Sequence, residues 1–127
     1  MNKICTSLEQ SKKLIELGID VNTADMIYYW FGDFELNDEW YELHLGTNRV
    51  NDKDIPAWSL SALIDILSDT ITDEDGVVFG LNIKKNFIEY YNPSMGALYA
   101  TYHSIIAEDL VDAAFEMVCW LKENNKI

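Results

Sequence analysis

Apolar positions recur along the chain in two rhythms, one near 3.6 residues and one of two, and each rhythm marks out an element. Leu8, Leu14, Ile15 and Leu17 supply the apolar side of a first helix. Thr6 with Glu9, or Ser7 with Gln10, offers a capping box at its start. Gly18 supplies the left-handed residue that ends it. Met26-Ile27-Tyr28-Tyr29-Trp30-Phe31 is too short for a helix and reads as a buried strand. After a loop over 32–38, Tyr41, Leu43 and Leu45 alternate with Trp40, Glu42 and His44, so the two strands predict a hairpin. Residues 48–54 are polar and read as a loop.

Ser59 is a second N-cap, and Leu60, Leu63, Ile64 and Leu67 stand at i, i+3, i+4 and i+7 on one helix face. Thr72-Asp73-Glu74-Asp75-Gly76 is a turn. Val77, Phe79, Leu81 and Ile83 then alternate with Val78, Gly80, Asn82 and Lys84, and the chain turns at Lys85-Asn86. Phe87 to Tyr91 and 98–103 complete an antiparallel meander. Asp109 caps a last helix in which Leu110, Ala114, Met117, Val118 and Leu121 form one stripe, widened by Val111, Phe115, Cys119 and Trp120. That breadth predicts burial on two sides, by the sheet and by either the first helix or a second copy of the chain. The expected fold is α+β: an antiparallel sheet of about five strands, in the order α-β-β-α-β-β-β-α, with helices at 7–17, 59–68 and 109–123. No repeat or linker divides the chain, so 127 residues are read as a single domain, 1–127.

Three strings resemble a family of short uncharacterised proteins of gut anaerobic bacteria and their phages and mobile elements. They are Cys5-Thr6-Ser7-Leu8-Glu9-Gln10-Ser11-Lys12-Lys13-Leu14-Ile15-Glu16-Leu17-Gly18 with Thr23-Ala24-Asp25-Met26, then Ile55-Pro56-Ala57-Trp58-Ser59-Leu60-Ser61-Ala62-Leu63, and Asp112-Ala113-Ala114-Phe115-Glu116-Met117-Val118-Cys119-Trp120-Leu121-Lys122. The resemblance implies a small accessory protein of such a setting, and carries no activity, ligand or catalytic residue with it.

Charge narrows the partners. Twenty-two Asp and Glu face nine Lys and Arg, for a formal charge of −13. That balance repels nucleic-acid phosphate and anionic membranes, so neither is an expected partner. No apolar run is long enough to span a membrane. Two cysteines, at 5 and 119, and an N-terminus without a signal-peptide pattern predict a reduced, cytoplasmic protein.

Chemistry is sparse. Asp73, Asp75 and Gly76 imitate part of an EF-hand loop, but Ile71 and Asn82 would occupy its first and last ligand positions. There is no CxxC pair, nucleophile elbow or Gly-rich phosphate loop, so no catalytic residue, metal site or cofactor is expected. Cys5, before a helix N-terminus, reads as a packing residue rather than a reactive thiol. His44 and His103 read as exposed residues on the polar faces of their strands. Acids crowd two places, Asp33, Glu35, Asp38, Glu39 and Glu42 on the hairpin and Asp65, Asp69, Asp73, Glu74 and Asp75 further on.

The leading expectation is a non-catalytic accessory protein that binds another protein. Its surface would be built from Tyr29, Trp40, Glu35, Asp38, Glu39 and Glu42, since aromatics are favoured at binding hot spots. A homodimer would use Phe115 and Trp120. The alternatives are a small-ligand, nucleotide-sequestering protein using Arg49 and Lys84/Lys85, and an acidic mimic of nucleic acid that inhibits a basic protein. An enzyme built on Asp25, His44 and His103 is the weakest reading.

Overall fold

A computed structural model describes residues 3–33 and 38–127. They form three α-helices and two antiparallel sheets, an α+β fold as the sequence predicts, with the strands divided between two sheets where a single sheet was expected, because alternation marks a strand but not its pairing. The strand count is seven rather than about five. The two additions are three-residue strands, too short for any periodicity to announce. Backbone contacts divide the chain into two compact units, Ile4–Ala62 and Leu63–Ile127 with Lys3.

In the first unit, α1 (Leu8–Glu16) starts on Ser7, whose hydroxyl accepts the Gln10 N–H while the Gln10 amide oxygen accepts the Ser7 N–H. Of the two capping boxes the sequence allows, this one forms. The helix ends in a Schellman motif: Gly18, at φ 88°, donates to Ile15 O, and Ile19 N–H donates to Leu14 O. The sheet has the order β2-β1-β3, from β1 (Met26–Asp33), β2 (Asp38–Leu45) and β3 (Ile55–Ala57). Met26 pairs with Leu45 on one side and Ala57 on the other. On one face of the sheet Met26, Tyr28, Leu43 and Ala57 pack with Cys5.

Thr6, freed from capping, is fully buried at the meeting point of four segments. Its N–H donates to Trp58 O, and its hydroxyl accepts the Trp58 N–H at 3.1 Å and lies 2.8 Å from Ser11 Oγ. Its carbonyl accepts the Tyr28 hydroxyl at 2.8 Å. Buried polar groups are tolerated only when paired, and here they are.

In the second unit, β4 (Thr70–Thr72), β5 (Val78–Lys84), β6 (Phe87–Tyr91) and β7 (Thr101–Ile106) follow one another as a meander. One face carries Ile71, Phe79, Ile88 and Tyr90, all buried. α3 (Leu110–Glu123) packs against β6 and β7. Asp109 caps it by accepting the Val111 N–H, and its other carboxylate oxygen accepts the Lys3 N–H. The second helix, α2 (Leu60–Ile66), is shorter than the expected 59–68, and Ser59 caps it through the Ala62 N–H.

His103 departs from its expected place on a polar face. The register slips between Tyr90 and Tyr91, so Thr101 pairs with Tyr91 but His103 with Tyr90. A bulge of this kind admits one extra residue and re-aims side chains. Tyr102 and His103 both meet Trp120, the imidazole stacking on the indole at 3.9 Å and 4°. Burial there holds the imidazole pKa below its ordinary value.

Thr6→Val keeps the shape of the buried side chain but removes the acceptor for Trp58 N–H and the partner of Ser11. It should cost about 1–3 kcal/mol, read as a lower urea midpoint with an unchanged slope.

Candidate functional site

The site begins with alternation along β1. Met26, Tyr28 and Trp30 share one face; Ile27, Tyr29 and Phe31 share the other. The β2 partners of the second set are His44, Glu42 and Trp40. This second face leaves Phe31 39% and Trp40 52% exposed, their rings stacked at 5.7 Å and 9°. The Tyr29 ring meets His44 edge-on at 5.0 Å.

The 46–54 loop folds beside this face, held by one carboxylate. Asp54 is 1% exposed. Its Oδ1 accepts the Trp30 N–H at 2.8 Å, and its Oδ2 accepts the Val50 and Asn51 N–H groups, each at 2.8 Å. The β3 ladder stops at the Tyr28–Ile55 pair, so the Asp54 side chain takes over where backbone pairing ends. Burial alone would raise the pKa of this carboxyl, but the three N–H groups and Arg49 hold it below its usual range. The Tyr29 hydroxyl donates to Asn48 O at 3.0 Å and ties the loop to β1 a second time.

Between loop and sheet lies an open groove of about 380 Å³, lined by Tyr29, Trp30, Phe31, Glu42, His44, Val50, Asn51 and Asp54. No lysine or arginine is among them. On the opposite face the Trp30 ring crosses Gly32, where any Cβ would collide with the indole. Its Nε1 donates to Glu39 at 2.9 Å, and Lys53 Nζ sits 4.4 Å above the ring. The Tyr41 phenol there is raised by burial, then by the charges of Glu39 and Asp54, a sign of the negative field around the hairpin.

The structure therefore brings together Tyr29, Trp40 and Glu42 of the expected surface, with Asp38 and Glu39 exposed on the same strand. Glu35, and Phe34 beside it, lie outside the described residues. Phe31, His44, Val50, Asn51 and Asp54 were not in the expected set. Only strict alternation from Tyr29 and Trp40 could have added Phe31 and His44, and nothing local marks the loop residues. Asp65, Asp69, Asp73, Glu74 and Asp75 belong to the second unit. Asp73 is spent on its own turn, accepting the Asp75 and Val77 N–H groups. Phe115 and Trp120 are half-buried, Trp120 against β7, and seven residues of α3 are buried within the single chain.

The groups proposed for chemistry are divided between the two units. Asp25 is engaged by Ser59, its Oδ1 accepting the backbone N–H at 2.9 Å and its Oδ2 the hydroxyl proton. His44 lies in the first unit and His103 in the second, and among the described residues neither imidazole hydrogen-bonds a carboxylate. Among those residues no three of His, Cys, Asp and Glu gather as metal ligands. Cys5 is buried in the packed cluster. Among the described residues no helix is long and apolar enough to cross a membrane. Comparison with protein families, curated proteins and solved structures finds no match.

Acid should unfold the loop through Asp54. A carboxyl held low in the folded state stabilises fully above its unfolded pKa of about 3.9 and loses that contribution as pH falls through the folded value. Asp54→Ala strips three N–H groups of their acceptor and should cost about 2–4 kcal/mol at pH 7. The difference between wild type and variant should shrink below about pH 4, as urea unfolding across pH would show.

Proposed function

We propose that this is a small, acidic, non-catalytic accessory protein that binds another protein through the aromatic–acidic face of its β1–β2 hairpin. The observation that carries the reading is the groove, where exposed Phe31 lies beside Glu42 with Trp40 stacked on it, and no lysine or arginine lines the wall. Exposed aromatics in a desolvating concavity are the anchors of protein interfaces. A basic partner surface is the complement of such a patch.

Nucleotide sequestration has less support. The aromatic rings could stack on a base, yet the lining offers carboxylates where phosphate needs cations. Arg49 donates to Asp52 O and Lys53 stands over Trp30. Nucleic-acid mimicry needs dense carboxylates directed outward, and Asp54 and Asp73 are turned to backbone N–H groups instead. The resemblance of the three sequence strings supports a phage or mobile-element setting for the protein.

The Trp40→Ala/Glu42→Ala double variant separates binding from folding. It removes a half-exposed ring stack and a surface charge, so stability should fall by about 1 kcal/mol. Cross-linked capture from the native cell, quantified by mass spectrometry, should retain a partner on wild type and lose it on the variant. With that partner purified, calorimetry should show affinity lower by about 30-fold, the scale of a hot-spot loss. Equal retention by both proteins would remove this face as the interface.

A further inference from the structure

The sheet of the first unit has an open side. β2 is an edge strand of eight residues, and among the described residues it pairs only with β1. Which of its backbone groups face outward follows from the register. Trp30 N–H points away from β2, because Asp54 accepts it on the β3 side. Backbone groups alternate sides along a strand, so the N–H groups of Ile27, Tyr29 and Phe31 point towards β2. Their partners His44, Glu42 and Trp40 must point back. Gly46 N–H, which donates to Asp25 O, keeps the same phase. The N–H and C=O groups of Glu39, Tyr41, Leu43 and Leu45 are therefore turned to the free edge. Among the described residues, none of these four makes a backbone hydrogen bond outside the ladder.

A row of open groups on a long, regular edge is a template for another strand, and proteins commonly blunt such edges with lysine or proline. β2 carries neither, and leaves Trp40 52% and Leu45 83% exposed. What it does carry is Asp38, Glu39 and Glu42, with no lysine or arginine. These charges select the occupant. A second copy pairing edge to edge would bring three more carboxylates to the same seam, where Glu42 has Asp38 and Glu42 of the other copy as diagonal neighbours, and like charges so close are destabilising. An extended basic segment meets the opposite sign on both faces, Glu42 on the groove side and Glu39 on the other. Alternate side chains of such a strand would reach the groove face beside Trp40 and Glu42.

From this we infer that β2 receives an extended, cationic segment of a partner protein as an added strand. The backbone ladder supplies affinity, and Glu42 with Trp40 selects arginine or lysine at alternate positions by charge and by stacking. The inference rests on the protein-binding reading and specifies its partner and mode.

The probe is a ten-residue peptide of alternating arginine and valine, titrated into isotope-labelled protein with amide exchange read by NMR. At saturation Glu39, Tyr41 and Leu43 amides should exchange about tenfold more slowly, with binding weakened by salt. A glutamate–valine peptide should give no protection, nor should the arginine peptide N-methylated at alternate residues. Glu42→Lys, whose site is exposed and whose fold near-UV circular dichroism checks, should weaken binding at least tenfold, an order-of-magnitude expectation for a charge reversal. Absence of binding at millimolar peptide overturns the inference. So does binding that leaves the three amides unprotected, equal protection by the acidic peptide, or protection that grows with protein concentration alone. Capture that depends on Trp40 and Glu42 while the edge amides stay open would retain the interface and discard strand addition; loss of both would discard the two together.

Discussion

The hairpin unit turns on the Asp54 carboxylate. Removing a carboxylate from water is costly, and the cost is offset only where hydrogen-bond donors converge on it. Here three backbone N–H groups do so, from Trp30, Val50 and Asn51. One of them belongs to the central strand and two to the loop, so a single side chain fixes the loop against the sheet. It also ends the β3 ladder after Ile55 without leaving Trp30 N–H unsatisfied. The groove wall at Val50 and Asn51 and the phase of β1 towards β2 share this origin.

Local chemistry explains what the sequence reveals and what it conceals. α1 is legible because every signal lies within its own turns: Ser7, Gln10 and Gly18 act on neighbours three or four residues away. α3 is legible for the same reason, through Asp109. β3 is not, because Ile55-Pro56-Ala57 is short and proline argues against a strand. Proline is tolerated because β3 is an edge strand: Pro56 faces Ile27, whose N–H points to β2, so its missing donor falls on the outer side. His103 was misplaced because a bulge is a property of two strands in register, which one strand's alternation does not encode.

The site divides in the same way. Tyr29, Trp40 and Glu42 share a face by a period of two, and the sequence shows that period. Nothing in residues 46–54 says that Asp54 turns inward to Trp30, twenty-four positions away. An aspartate in a polar loop reads as solvated, and only the incoming N–H groups make it buried. Thr6 makes the same point in reverse: it reads as a cap, and serves instead as the polar joint of α1, β1 and the end of β3.

Net charge is a poor guide until the acids are sorted by what they do. Asp20, Asp25, Asp54, Asp73 and Asp109 all accept backbone N–H groups, so they belong to turns, caps and the loop. Glu39 accepts the Trp30 indole N–H yet stays exposed. Asp38 and Glu42 are also exposed, and all three lie on one edge strand. An open edge defended by like charges repels its own copy while remaining complementary to a cation. In that sense the acidity of β2 acts as a filter on what can pair with it. The filter works because the Asp54-held loop and the β1 phase leave the same strand with its backbone turned outward and its aromatic face bare.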